Sequence, residues 1–464
     1  MAPANEWTPG ITLKLVKHLK IAYWSVRDFF FVMWVTLLYA FIVIWKQPEK
    51  KHRKVRFGQR LSICIVTEYY YPTLGGITEH VYNLSRQLLR QGHKVAILTS
   101  DAGSDGGRGN QRGLKIFHVG RSREIYSNGS IARVTFGWSL HRQVAAIFRE
   151  NRFDIVHIHS PWTPTLPLLC MKYADCPVVG TFHTDFDKSR WLKLWRVGVQ
   201  FVMDRIDGLI AVSPVAVRSC RRFIDDRERF RVVPNGVDTE WYRPGRKMPG
   251  LDDGRPNILY IGRFDPRNGF STVVQAFDKL RSSVPAARLV IVGYGPLQKY
   301  YLSKVPRHLQ ADICFVGKTD LARQKYYASC DAMIVTARKA TTSIAVLEAL
   351  ATETAIVASD IPGHRFFLRD GEEALLVPAT DPDAYAAALS RVLTDDGLRR
   401  RLQTAGRRRA MAMDWRLVAS DVLDVYYDVL EAVVAEKRPT PEPCAYGAQR
   451  SVQAETTAGV RAAA

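Results

Sequence analysis

From Leu61 onward, short β-rich apolar runs alternate with helical stretches, and this alternation constrains the fold more than any other feature. The first series reads "LSICIVT", "KVAILTS", "KIFHV", "DIVHIHS", "CPVVGTFH" and "GLIAVS". After "VVPNGVD" a second series follows: "NILYIGRF", "RLVIVGYG", "DICFVGK", "AMIVTA", "AIVASD" and "ALLVP". Strands that are apolar without interruption belong to parallel sheets covered on both faces. Two such series, in a chain of 464 residues that is too long for one core, predict two doubly wound Rossmann-like α/β domains. The spacing places them at 57–233 and 234–414, with a hinge in the Pro, Asn, Gly and Asp cluster from Pro234 to Pro244. A last helix is expected within 415–438, where Leu417, Val418, Val422, Leu423, Val425, Tyr426 and Leu430 recur at helical spacing. Residues 439–464 are small, polar and broken by proline, and read as a disordered tail.

Residues 1–56 read differently. Phe29 to Trp45 is "FFFVMWVTLLYAFIVIW", free of charge and flanked by basic residues. The run is at the short end for a spanning helix, and its basic flank on the carboxyl side places the rest of the chain on the cytoplasmic side of the cell membrane. The basic, amphipathic "ITLKLVKHLKIAYW" ahead of it leaves a hairpin dipping into one leaflet as the alternative. Lys and Arg number 66 against 45 acidic residues, a net charge of +21. That excess suits an anionic membrane surface or phosphorylated substrates. No zinc-finger spacing, helix-turn-helix signature or basic-aromatic motif accompanies it, so nucleic acid is not expected as a partner. In "KSRWLKLWRVGVQFVMDR", Trp191, Leu194, Trp195 and Val199 can form a ring-bearing face toward an anionic leaflet, or pack on the sheet as an ordinary amphipathic helix. The seven cysteines include no C-x-x-C pair and sit largely in apolar runs, which points to buried thiols in a reducing compartment.

Candidate site residues lie at predicted strand ends. Gly75-Gly76 opens "GGITEHV", where a tight turn brings backbone amides to a helix start suited to phosphate, with Thr78 as a capping residue. Neither a Walker spacing nor G-x-G-x-x-G is present, which disfavours an ATPase or an NAD enzyme. His183 follows the strand in "VVGTFHTDF", at the edge where open α/β sheets bind ligands. Asp185-Phe186-Asp187 has the form of a metal-binding D-x-D, but no metal is expected. A fixed cation, Arg263 in "YIGRFDPRNGF", can neutralise a leaving diphosphate, with Arg267 as a second candidate. Glu348, flanked by Val346, Leu347, Ala349 and Leu350, is poorly placed for a solvated surface. Such an acid pairs either with a ribose diol or with a cation in a structural ion pair.

Taken in order, "GGITEHV", "GTFHTDF", "VSPVAV", "VVPNGVDTEWYRP", "IGRFDPRNG", "VGYGPL", "FVGK", "SIAVLEALA", "ASDIPG" and "EALLVP" resemble the retaining GT-B glycosyltransferases of the group that contains phosphatidylinositol mannosyltransferases, sucrose synthases and glycogen-synthase-like enzymes. The resemblance covers about Leu61 to Glu436. It implies two domains facing a cleft and a final helix that crosses back to the first domain. It also implies a nucleoside-diphosphate sugar, GDP-mannose or a UDP-hexose, held by the second domain and an acceptor docked on the first. By resemblance His183 contacts the transferred sugar, Arg263 the diphosphate and Glu348 the ribose, and Gly76 approaches the phosphates. Gly293 and Val316 line the base pocket. The resemblance also implies that the leaving phosphate itself deprotonates the acceptor, so that no dedicated carboxylate base is required, and that no cofactor is required.

Two positions depart from the family pattern. The first of its two paired glutamates, which contacts donor-sugar hydroxyls, falls on Ala340, followed by Thr341-Thr342-Ser343. The family lysine that follows the arginine falls on Asn268, and Arg267 differs from it in backbone direction and in charge geometry. The sequence therefore leaves two readings: a membrane-associated transferase with an altered donor grip, in which Ser343 and its neighbours serve the sugar, or a non-catalytic relative that binds nucleotide as a membrane subunit.

Overall fold

In the computed structural model, residues 57–434 are described, apart from 102, 104–108, 128–129, 187–191, 194, 226–228, 246, 296 and 320–321; positions 26–28, 30, 33–34 and 37 are described ahead of them. The apolar run from Phe29 to Trp45 therefore lies mostly outside the described residues, as do Trp191, Leu194 and the tail. Among the described residues no helix is long and apolar enough to cross a membrane.

The first series forms β1 (Ser62–Thr67), β2 (Lys94–Ser100), β3 (Lys115–Val119), a hairpin of β4 (Arg121–Ser127) and β5 (Ser130–Phe136), then β6 (Ile155–His159), β7 (Val178–Phe182), β8 (Gly208–Ala211) and β9 (Phe230–Val232). All but the hairpin join a parallel sheet of order β3-β2-β1-β6-β7-β8-β9. The second series forms β10 (Asn257–Ile261), β11 (Arg288–Val292), β12 (Ile313–Gly317), β13 (Ala332–Val335), β14 (Ala355–Ser359) and β15 (Leu375–Val377). They make a second parallel sheet of order β12-β11-β10-β13-β14-β15. In each sheet the order reverses beside the first strand, between β1 and β6 and between β10 and β13. Ligand crevices of doubly wound folds lie at such points, beyond the carboxyl ends of the strands.

The unbroken apolar strands have a direct physical reason. Alternate β1 side chains point to opposite faces. Cys64 and Val66 enter one core with Leu140, Leu169 and Met203, while Ile63 and Ile65 enter another with Val81, Leu84 and Val422. In β10, Ile258 and Tyr260 pack with Phe270 and Leu389, and Leu259 packs with Val346 and Leu350. Both faces of both sheets are covered, so neither strand has a polar face to show.

Four helices matter for the site: α1 (Gly76–Arg90), α2 (Phe270–Leu280), α3 (Ile344–Ala351) and α4 (Trp415–Val434). The last follows the second sheet in the chain but packs on the first. Trp415, Val418, Val422, Tyr426 and Leu430 share the core of Ile63, Ile65 and Leu84. A Cβ at Gly236 would come within 2.8 Å of the Trp415 ring, so the hinge glycine lets the indole lie directly on the backbone.

Two local expectations are corrected. The residue before α1 is Gly75, and Thr78 lies inside the first turn. Its hydroxyl donates to the Thr73 carbonyl at 2.7 Å and caps nothing. Val199 is buried in the first-domain core with Val202 and Met203, and so is not available to a leaflet. Cys64, Cys170, Cys176, Cys220 and Cys330 are buried.

Candidate active site

The carboxyl ends of the two sheets approach each other, and two first-domain elements and the hinge meet the second domain there. Gly75 and Gly76 start α1, and the nearest atom to a Cβ built on Gly76 is Ile344 Cδ1 in α3, at 3.7 Å. His183, just past β7, has its carbonyl taken by the Thr341 hydroxyl at 2.8 Å. Asn235 in the hinge donates from Nδ2 to Thr342 Oγ1 at 2.6 Å. The loop from Ala340 to Ser343 is thereby fastened to the first domain and the hinge. It also crosses Gly363 of "ASDIPG" so tightly that a Cβ there would fall 2.0 Å from the Ala340 carbonyl oxygen. Ser343 precedes α3, and its own carbonyl accepts from Val346 and Leu347.

The candidate diphosphate and base residues lie farther along the same carboxyl edge of the second sheet, at the ends of β10, β11 and β12. Arg263 follows β10, is 43 % exposed and stands 3.4 Å from Asp265 Oδ2. Asn268 turns its side chain back, donating to the Arg263 carbonyl at 2.8 Å. It closes the Arg263 loop, whereas a lysine there would project a cation. The turn ends on Gly269, at φ +66, where a Cβ would collide with the Thr336 carbonyl. Arg267 is half-buried on that turn, and its carbonyl accepts from the Arg338 amide at 2.9 Å. Gly293, just past β11, admits no side chain, since a Cβ would lie 2.0 Å from the Gly262 carbonyl. Its amide donates to the Gly317 carbonyl at 2.9 Å, which joins the Gly293 turn to the end of β12, where Val316 is half-buried.

Glu348 is buried on α3, and its carboxylate is occupied. Arg323 donates to Oε1 at 2.6 Å and Tyr327 to Oε2 at 2.7 Å. Arg323 also reaches Glu79 of α1 at 3.2 Å and the Tyr242 hydroxyl at 2.7 Å, while Tyr71 donates to Glu79 at 3.0 Å. One guanidinium thus joins a carboxylate from each domain. Burial pushes the Glu348 carboxyl up, and Arg323 pulls it back toward ionisation. Burial lowers the Arg323 guanidinium, but the two carboxylates hold it well above its ordinary value.

His183 does not stand alone. His159 at the end of β6 faces it, Nδ1 to Nε2, at 2.9 Å. His80 of α1 lies against both rings. His157, two residues back on β6, bonds Tyr426 and Thr181, each at 2.6 Å. Burial, reinforced by the neighbouring imidazoles, holds His159 and His183 well below the ordinary histidine value, so both are neutral near pH 7. Of these groups only His183 was singled out in the sequence. The sequence held a signal for His159, since "HIH" alternates histidines along a strand. Nothing in it reveals that β6 pairs with β7 and brings His159 beside His183.

Residues 74–241 match Glycosyltransferase Family 4, and residues 244–409 match Glycosyl transferases group 1. The chain is a GT-B glycosyltransferase of group 1. This glycosyltransferase is 33 % identical over 379 residues to the phosphatidyl-myo-inositol mannosyltransferase of Mycobacterium tuberculosis, which covers 80 % of this chain and 97 % of the relative. Over 407 residues it is 28 % identical to the D-inositol 3-phosphate glycosyltransferase of Xylanimonas cellulosilytica, covering 79 % of this chain and 93 % of that one. Among solved structures it resembles sucrose-phosphate synthase from Thermosynechococcus elongatus. That match has a TM-score of 0.65 at 20 % identity and covers 80 % of this chain and all of the other. The family is one of enzymes.

Proposed function

We propose that this enzyme moves a hexose from a nucleoside-diphosphate sugar, GDP-mannose or a UDP-hexose, to a lipid or lipid-linked acceptor with retention of configuration. The observation that carries the reading is the joining of both domains around one cleft: His183 and Gly76 on one side, and the Thr341 loop and α3 on the other. Arg263, half-exposed at a strand end, supplies a cation for the departing diphosphate without metal or cofactor. His183, a neutral imidazole, hydrogen-bonds the sugar, and Gly293 and Val316 flank the base. Backbone amides from Thr341 to Ser343 replace the sugar contacts of the acid that Ala340 lacks. Arg267 supplies the charge that Asn268 lacks. A ribose reaching Glu348 shares it with Arg323 and Tyr327. A lipid acceptor is favoured by relatives named for phosphatidyl-myo-inositol.

The test is a panel of GDP- and UDP-sugars with inositol-lipid and polyprenyl-phosphate acceptors. At least one pair is expected to give product, and Arg263→Ala should lower kcat/KM by about 2–4 kcal/mol, roughly 30- to 1,000-fold. Product from an Ala340→Glu, Asn268→Lys double variant beside a silent wild type would overturn the altered-grip reading.

The enzyme acts at the cytoplasmic face of the cell membrane, held by residues 1–56 and their basic flanks. Removal of residues 1–56 is expected to shift the protein into the soluble fraction of a detergent-free lysate. Full-length protein already found there would overturn the tether.

A further inference from the structure

The first domain gathers imidazoles beyond what sugar contact needs. His80 from α1, His159 from the end of β6 and His183 after β7 each turn one ligand atom to within 4.8 Å of the others. Their ring centroids form a near-equilateral triangle: 5.1 Å for His80–His159, 4.9 Å for His80–His183 and 5.2 Å for His159–His183. His80 and His159 are 2 % and 1 % exposed, and His183 opens on the cleft.

The hydrogen bonds set the proton inventory. Asn235 donates from Nδ2 to Thr342, so its Oδ1 accepts from His80 Nδ1 at 2.8 Å. His80 Nε2 is then a bare lone pair, buried and without a hydrogen-bond partner. A single proton lies between His159 Nδ1 and His183 Nε2, and His159 Nε2 is likewise buried without a partner. A buried lone pair such as that of His80 Nε2, beside the His159–His183 pair, is costly unless something occupies it. The amide behind His80 is the outer support that metal-ligating histidines use to fix their tautomer.

We propose that His80, His159 and His183 form a binding site for one borderline divalent ion of the zinc, cobalt or nickel type. The ion takes His159 Nδ1, His183 Nε2 and His80 Nε2 as ligands and keeps a water on the cleft side; the proton shared by His159 and His183 moves to the far nitrogen of the ring that held it, so all three imidazoles stay neutral. With metal–nitrogen bonds of about 2.0–2.1 Å, tetrahedral ligand nitrogens lie about 3.3 Å apart, so the widest edge closes by about 1.5 Å. Three neutral imidazoles and no carboxylate select against magnesium and calcium. Because the ion takes His183, it reversibly silences transfer; this last consequence rests on the sugar-binding role proposed above.

The test uses full-length protein stripped with chelator and titrated with Co²⁺. One equivalent is expected to give the intense visible bands of a low-coordinate, nitrogen-ligated ion, lost on addition of Zn²⁺ and untouched by Mg²⁺. His80→Gln and His159→Gln should each weaken Co²⁺ binding at least about tenfold, as should removal of the outer support in Asn235→Ala. His308→Ala, at an exposed histidine paired with Asp278, should change nothing. Circular dichroism and melting curves confirm that each variant is folded. Should a glutamine variant fail to fold, the wild-type spectrum decides alone. No saturable band, an octahedral oxygen-ligated spectrum, or unchanged binding in folded His80 and His159 variants would overturn the site. These readouts need no turnover and stand whether or not a donor is found. Where transfer is measured, Zn²⁺ should abolish it and chelator restore it. Undisturbed transfer with the site loaded would overturn the silencing while leaving the site intact.

Discussion

Arg323→Ala should lower folding stability by about 3–5 kcal/mol, a loss characteristic of removing one partner from a buried ion pair. Arg323 sits with only 13 % of its side chain exposed, between Glu348 at 3 % and Glu79 at 6 %. Without it, two carboxyls remain inside the protein with tyrosine hydroxyls as their partners. Glu348 answers by holding its proton. Burial already pushes Glu348 up, and the lowering by Arg323 is gone, so its folded pKa rises further above the unfolded value. A carboxyl raised in this way favours the fold fully below its unfolded pKa, and that contribution is lost as pH climbs through the folded pKa. The variant should therefore be closest to wild type near pH 4.5 and fall furthest behind above pH 7, where wild type keeps its ion pair. Thermal melts of both proteins across that range check the prediction. Equal losses at both ends would mean that Arg323 acts through packing alone. Adding Glu348→Gln and Glu79→Gln to Arg323→Leu should restore much of the stability, because the charges leave together.

His183→Ala should cost two to three decades in transfer, the scale of one lost contact to a polar transition state. Nucleoside-diphosphate affinity should change by less than about tenfold, since the imidazole is assigned to the sugar. His183 is held well below the ordinary histidine value by burial first and by His80 and His157 second. The rate should consequently show no step near the usual histidine pKa as pH passes from 5.5 to 8. Turnover and calorimetric affinity measured on one preparation separate the two effects. An unchanged kcat would remove His183 from the site.

Much of the architecture was legible because it rests on local pattern. The apolar runs of β1 and β10 announce strands covered on both faces, and Glu348 stands out as a lone acid among Val346, Leu347 and Ala349. What was illegible depends on pairings distant in the chain. Glu348 could be read as ribose ligand or ion-pair member. Its actual partner, Arg323, lies 25 residues away in a stretch with no motif. Asn268 read as a missing lysine, and only the backbone shows that its amide closes the Arg263 loop. His159 became visible as a neighbour of His183 only through strand register. Thr341 and Thr342 read as substitutes for a small turn, yet each hydroxyl ties the second domain to the first or to the hinge.

The placement of α4 carries a consequence for synthesis on the ribosome. The first sheet has lost its last strand to the tunnel exit by Val232, but the helix that covers one of its faces begins at Trp415. The 182 residues between them (233–414) take about 10–40 s to translate at ordinary elongation rates. Throughout that interval Ile63, Ile65, Leu84 and Val179 have no Val422 or Tyr426 to lie against. The nascent first domain is therefore a sticky half-structure that waits for its own carboxyl end. Chaperone demand for this chain is written into the order in which its pieces emerge.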